Sequence, residues 1–368
     1  MDSYDVAVLD GDGVGPEVTG EALKVVEAAG KRFGFELKTT RYDLGAQHYL
    51  DTGVVIDDAT VERLRSHQAI LFGAMGDPRV SPGILERGLI LRLRREFAQP
   101  VNLRPVRLYP GVPTPIRDLT PERCDLVIIR ENTEGLYVGG GSTVHAGTPH
   151  AVALQESVNT VPAITQVVDY SFRLARRRRG KLALCHKTNI LVHAGALWQQ
   201  VVDEVSRSYP DVELDYVHVD AMCQHLPMTP ERFDVVVTDN LFGDIISDLG
   251  ATIQGGLGVA CSANLNIDGA APSMFEPVHG SAPDIAGRGW ANPAAAVLSA
   301  ALCLAVLGQA EAALVCEQAA ASVLAELPAL AGPAMGASTS DLGDRMADRV
   351  TRLEVPTAPS IMTAISTA

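Results

Sequence analysis

Short apolar runs ending at polar turns alternate along this chain with longer stretches whose apolar positions recur at helical spacing. Residues 4–9 alternate into a first strand, and GDGVGPE then turns into a helix. Pro16 stands at its start, and Val18, Ala22, Val25, Val26, Ala29 and Phe33 share one face. A second strand-helix passage covers 35–67, and AILFGA (69–74) is the next strand. After the loop MGDPRVSPG, ERGLILRLRREFA has a helical pattern and VNLRPVRLY reads as a strand. CDLVIIRENTEGLYVGGG (124–141) is a buried strand ending in a polar turn, and GGGSTVHAGTPH is a loop or hairpin arm. VPAITQVVDYSFRLARRRRG predicts a helix opening near Pro162 and ending at Arg176–Arg179, where cations complement the helix dipole and Gly180 caps the end. Strands follow at KLALCHKTNIL, with Lys187 at its polar end, and at ELDYVHVDAM, which delivers Asp220.

The stretch FDVVVTDNLFGDIISDLG predicts a buried strand at Val235–Val237, a Gly-containing turn, and a helix with Asp244 and Asp248 on one face. An Ala-rich helical hairpin spans 293–327, with Asn292 as N-cap, Pro293 at N1 and a break near Gly308. Residues 328–338 form a loop, and the last dozen are expected to fray.

The chain has 368 residues, enough for two domains or one large α/β unit. No repeat or low-complexity linker separates parts of the chain, so two lobes would share strands and helices. A formal charge of -14 repels polyanions and argues against nucleic-acid binding, so small anionic substrates need local arginines. The six cysteines form no CxxC pair and read as buried thiols of a reducing cytoplasm. Neither a secretory leader nor a membrane span is apparent in the pattern.

Two carboxylates at i and i+4 repel unless a cation lies between them, and a hard divalent metal is the natural occupant. Glu276, His279, Gly280, Ser281 and Asp284 lie in one Gly- and Pro-punctuated loop closed by Asn292 and Pro293, a composition suited to ligand binding. GDGVG is not a dinucleotide fingerprint, because the third glycine of GxGxxG would fall on Pro16. It is expected to wall a differently built cofactor cleft.

NLFGDIISDLG followed by GGLG, and FEPVHGSAPDIAG followed by ANP, resemble the segments that mark the β-decarboxylating dehydrogenases of the isocitrate/isopropylmalate family. The likeness covers nearly the whole chain. It implies a two-lobed α/β sandwich, not a Rossmann fold, with one lobe from 1–100 plus 255–368 on the cofactor side. Residues 101–254 would form the lobe for dimerisation, metal and substrate. By the same resemblance Arg94, Arg104 and Arg130 bind the carboxylates of a small hydroxy-dicarboxylate, Tyr137 donates a proton, and Lys187 is the base. Asp220, Asp244 and Asp248 would hold Mg2+ or Mn2+, with Asp220 also at the substrate. Glu276, His279, Gly280, Ser281, Ala282, Pro283, Asp284 and Asn292 would bind the cofactor. Asp284 stands where NADP-using relatives have a lysine, which implies NAD.

A homodimer with composite active sites is implied too, Lys187 and Asp220 crossing to the neighbour. A regulatory subunit without activity would have lost at least one of Lys187, Tyr137, Asp220, Asp244 or Asp248, and none is missing. Within the family YDLGAQ, GDPRVSPGILERGL and LVHAGALW resemble the actinobacterial 3-isopropylmalate branch, which serves leucine biosynthesis, whereas RENTEG and RPVRLYPGVP lean toward D-malate or tartrate enzymes. Gly88 stands where isocitrate enzymes carry a serine. Leu89, Ile90 and Leu91 are expected as an apolar pocket floor for an isopropyl group, with Arg87 and Arg92 as possible readers of a third carboxylate.

Overall fold

The computed structural model describes residues 2–358 and 360–366. The chain begins with β1 (Asp2–Gly11), α1 (Gly15–Phe33), β2 (Phe35–Arg41), α2 (Ala46–Thr52), α3 (Asp58–Arg65) and β3 (Ala69–Ala74). A π-helical turn at Glu86–Ile90 leads into α4 (Leu91–Glu96), β4 (Val101–Arg107) and β5 (Asp125–Glu131). The exposed hairpin β6 (Gly141–Val144) and β7 (Val152–Gln155) precedes α5 (Val161–Arg177), β8 (Lys181–His186), α6 (Val192–Ser206), β9 (Glu213–His218) and α7 (Val219–Met228). Then come β10 (Val235–Thr238), α8 (Asn240–Ile253), β11 (Cys261–Leu265) and β12 (Ser273–Pro277). Helices α9 (Ala294–Val306), α10 (Ala310–Leu324), α11 (Thr339–Arg352) and α12 (Ile361–Ser366) complete the chain.

One ten-stranded sheet runs through the molecule in the order β2-β1-β3-β12-β11-β4-β5-β10-β8-β9. Its flanks pair in parallel, while β12–β11, β11–β4 and β4–β5 are antiparallel. Parallel strands covered by helices on both faces read as unbroken apolar runs, and AILFGA and VVVT are buried at every position. The Ala-rich composition of α9 has the same cause. Every residue from Ala294 to Ala305 is buried, because α1, α10, β11 and β12 close on it from different sides and small side chains let them approach.

Several expectations change. The stretch 35–67 holds two helices rather than one, and the helix before Arg94 opens with a π-helical turn. Asp220 lies at the start of α7, not on a strand, and Glu276 lies on β12 rather than in the loop beyond it. The last dozen residues include α12, whose Ile361, Met362, Ala364 and Ile365 are buried. The hydroxyl of Ser360 donates to buried Glu317 and holds this segment in place. Sequence reading also passed over α11, though Ser338 and Asp341 form a capping box and Leu342, Met346 and Val350 recur every four residues. Helix α9 begins one residue late, yet Asn292 Oδ1 still accepts from the Ala294 N–H at 3.0 Å.

The arginines ending α5 do more than face a dipole. Arg176 pairs with Asp211, and Arg178 pairs with Asp125 and with buried Asp234. Arg179 donates to the carbonyls of Asp125 and Phe233. Gly180 takes a φ of 74° and returns its N–H to Ala175 O at 2.9 Å. Of the cysteines, all but half-buried Cys223 are buried. No helix among the described residues is long and apolar enough to cross a membrane.

Candidate active site

Where the sheet turns antiparallel, three arginines lie buried. Arg130, 2% exposed at the end of β5, gives Nε and Nη2 to Asn240 Oδ1 at 3.0 and 2.7 Å and pairs through Nη1 with Asp244. Arg104, on β4, donates Nε to Asn102 Oδ1 and Nη1 to Ser247 Oγ, both at 2.7 Å. Its head also lies 3.7 Å from Asp244 and 3.6 Å from Asp248. Arg94, on α4, meets Glu276 Oε1 at 2.9 Å, and its Nε is buried with no partner.

Burial, and then the charge of Arg130, push Arg104 down to about 10. Grouped guanidiniums, one with an unused buried N–H, are of a chemistry suited to carboxylates, because their donors are planar and bidentate.

Helix α8 faces these arginines with its carboxylates. Asp239 caps it by accepting from the Phe242 N–H at 2.8 Å, and Asp244 and Asp248 follow one turn apart. Gly243 is required for the close approach, since a Cβ there would come within 2.5 Å of Arg130 Cγ. Asp244 also accepts from Tyr137 Oη at 2.8 Å. Burial, then the charge of Asp244, raise the Tyr137 pKa, so this phenol keeps its proton. Burial opposes ionisation of Asp244, but Arg130 and Arg104 outweigh it and lower its pKa. Asp248 shifts upward, chiefly through burial.

The chain does not assemble all the expected residues. Lys187 Nζ donates to Asp220 Oδ1 at 2.6 Å, and that bond lowers the Asp220 pKa. Among the described residues, however, no group of three His, Cys, Asp or Glu is placed to hold a metal. Two hard oxygen donors on α8 fit a divalent cation only in part, and a full ligand set needs more than they supply.

The loop after β12 rests on the GDGVG turn. Asp12 accepts from the N–H groups of Ala46 at 2.8 Å and Gly76 at 2.9 Å, and Val14 donates to Ser281 O at 2.8 Å. Gly13, at a φ of 59°, leaves room for that contact, since a Cβ would fall 1.9 Å from Ser281 O. His279 turns Nδ1 toward Gly280 O and leaves Nε2 buried without a partner, while Gly280 borders open space. Ala282 takes a φ of 41°, and Pro283 and Asp284 are exposed. A bare loop with one orphaned imidazole nitrogen fits a dinucleotide. Two expected cofactor residues are committed elsewhere: Glu276 to Arg94 and Asn264, and Asn292 to Leu330 O and the Ala294 N–H.

The expected apolar floor is smaller than the sequence implied. Leu89 is buried in the core with Leu9, Phe72 and Phe97, whereas Ile90 and Leu91 are half-buried. A Cβ on Gly88 would meet the Val55 side chain at 2.8 Å, so that position faces Val55. Arg92 is taken by Ile56 O and Asp58. The supporting residues Asn102, Asn240, Ser247 and Asn264 are not singled out by the sequence pattern, although Asn240 and Ser247 lie inside NLFGDIISDLG and Asn102 stands two residues before Arg104.

Buried guanidiniums facing paired carboxylates at the centre of such a sheet are suited to a small anionic substrate beside a cation, and likeness to known proteins gives the class: a decarboxylating hydroxy-acid dehydrogenase. The model of the isocitrate/isopropylmalate dehydrogenase family matches residues 5–354, and the chain belongs to that family. It is 55% identical over 346 residues to the 3-isopropylmalate dehydrogenase of Thermobifida fusca (strain YX), covering 94% of this chain and 97% of that one. It is 52% identical over 342 residues to that of Mycobacterium tuberculosis (strain ATCC 25618 / H37Rv), covering 93% and 98%. The crystal structure of isocitrate dehydrogenase from Methylococcus capsulatus superimposes with a TM-score of 0.85 at 33% identity, covering 95% of this chain and all (100%) of that one.

Proposed function

We propose that this enzyme oxidises and decarboxylates 3-isopropylmalate to 4-methyl-2-oxopentanoate, a step of leucine biosynthesis, using NAD and Mg2+ or Mn2+. The buried Arg94–Arg104–Arg130 group facing Asp244 and Asp248 carries this reading. The arginines hold the two carboxylates, and Lys187 takes the proton of the C2 hydroxyl. The 3-carboxylate then leaves as carbon dioxide, and Tyr137, protonated and beside Arg130, returns a proton to carbon. When bound, NAD accepts the hydride and the divalent metal offsets charge at the C2 oxygen. The cleft would lie between lobes formed by 1–100 with 255–368 and by 101–254. Asp220 would complete the metal ligands from a partner subunit, together with Lys187. Exposed Ile190, Leu191 and Val192, three to five residues after Lys187, and Val144, Val152 and Leu154 on the β6–β7 hairpin, support a covered interface in a homodimer.

Half-buried Ile90 and Leu91 support an apolar substituent on the malate, and the engagement of Arg92 argues against a third carboxylate. An unpaired carboxylate there would cost several kcal/mol. Three added carbons at about 0.8 kcal/mol each give roughly 2.4 kcal/mol, so kcat/KM for 3-isopropylmalate should exceed that for D-malate on the order of 50-fold. Faster turnover of D-malate, tartrate, isocitrate or homoisocitrate would overturn the assignment.

Asp284 supports NAD, because a carboxylate accepts from a ribose diol and repels a 2'-phosphate. The expected preference over NADP in kcat/KM is at least about tenfold, or 1.4 kcal/mol. Equal use of the two cofactors would remove Asp284 from this role.

A further inference from the structure

Beside the Lys187–Asp220 pair, one hydroxyl joins two strand ends. β8 and β9 run parallel with Leu184 opposite Tyr216 and His186 opposite His218. Lys187 follows the end of β8, and Asp220 is the second residue of α7, directly after β9. The half-buried Tyr216 side chain reaches along the sheet past both ends. Its Oη accepts from the Thr188 N–H at 3.1 Å and lies 2.8 Å from Thr188 Oγ1. It is also 3.0 Å from His218 Nδ1 and 3.3 Å from His186 O. A phenol has one proton to donate and two lone pairs, so these neighbours use its whole capacity.

The residues on either side of Lys187 are thereby tied to Tyr216. The carbonyl of His186 and the N–H and hydroxyl of Thr188 face Tyr216, while Lys187 O accepts from the N–H groups of Ile190 and Leu191. His218, the N-cap residue of α7, offers no side-chain bond to its own helix and faces Tyr216 instead. Beyond the last β8–β9 pair, His186 opposite His218, the Tyr216 hydroxyl and the Lys187–Asp220 ion pair link the Lys187 turn to the start of α7.

We infer that Tyr216 is a positioning residue, whose hydroxyl locks the Lys187 turn to the Asp220 helix so that ammonium and carboxylate are presented as one rigid unit. The inference rests on the roles proposed above for Lys187 and Asp220, and it adds which residue sets their geometry. Small displacements of a proton-transfer group are costly to turnover and nearly silent in binding.

Tyr216→Phe, which deletes only the hydroxyl, is expected to lower kcat about tenfold, with KM for 3-isopropylmalate within about twofold and the melting temperature within about 2 °C. Thr188→Val should act in the same direction, and the double variant should be no slower than Tyr216→Phe alone, as residues sharing one network are not additive. Hybrid dimers add a readout that general loosening would not give. When Lys187→Ala subunits are mixed with Arg130→Ala subunits, Tyr216→Phe should slow the restored activity only on the Arg130→Ala subunit, the one that supplies Lys187. Wild-type kcat in Tyr216→Phe, or equal slowing from both placements, overturns the assignment. Should Tyr216→Phe prove unstable, Thr188→Val decides, and wild-type kcat there overturns it equally. A fully active Lys187→Ala enzyme would instead overturn the reading on which the inference rests.

Discussion

Lys187→Ala and Arg130→Ala enzymes, each nearly inactive alone, are expected to regain activity when mixed. Removing a positioned general base costs on the order of 10^3 in kcat. Removing Arg130 should cost at least about as much, because it takes away a bidentate carboxylate partner and leaves Asp244 without its closest cation. Within one chain Lys187 and Asp220 form their own pair, and among the described residues no group of three His, Cys, Asp or Glu is placed to hold a metal. If a partner subunit supplies them, a hybrid dimer has one site that lost both residues and one that lost neither. Random exchange makes about half the dimers hybrid, each with one working site of two, so recovery approaches about a quarter of wild-type activity. The check is activity against time after mixing, with subunit exchange followed separately. No recovery after full exchange, or a monomer at assay concentration, would place the whole site in one chain.

Asp244→Asn is expected to have the next largest effect, because one carboxylate serves three partners. It pairs with Arg130, lies 3.7 Å from Arg104, and accepts from Tyr137 Oη at 2.8 Å, one helical turn from Asp248. The amide keeps the shape and loses the charge. Its pKa is lowered in the fold, so the stability its charge contributes is fully present above the unfolded value of 3.8 and is lost as pH falls through the lower folded value. At pH 7 the substitution therefore removes all of it. We expect kcat/KM to fall about 10^3-fold and the metal concentration for half activity to rise at least about tenfold. Both are read from rates titrated with Mg2+ or Mn2+ after chelator treatment. Unchanged metal dependence in Asp244→Asn would exclude this carboxylate as a ligand.

What the sequence made legible was local. The β10–α8 passage and the i, i+4 carboxylates depend on spacing within a few residues; strand and carboxylates stand where the pattern put them, although Gly243 lies inside α8 rather than in the turn before it. What it hid lay at long range. Asn102 Nδ2 reaches Asn264 Oδ1 at 2.8 Å, Asn264 Nδ2 reaches Glu276 Oε1 at 2.9 Å, and Glu276 meets Arg94. This buried path joins two of the three arginines across residues far apart in the chain, and no periodicity announces it. The π-helical turn misled the pattern differently: it shifts the register before Arg94, sending Leu89 into the core and Gly88 against Val55. The capping box of α11 is local too, and Ser338 with Asp341 marks it in the sequence.

The strand order also bears on how the protein is made. β3 lies between β1 and β12, with Ala69 opposite Ser273, while β4 takes β11 as its neighbour on that side. A ribosome therefore finishes β3 roughly 200 residues before its second partner exists, an interval of about 10–40 s at ordinary elongation rates. Throughout that interval AILFGA, apolar on both faces, presents an unpaired edge to the cell. Residues 101–254 supply five neighbouring strands and can condense meanwhile, so the later half of the sheet is able to form before the earlier one closes. The edge of β3 that faces β12 is thus the last of its two to find a partner, because Ser273–Phe275 are made long after Ala69–Leu71.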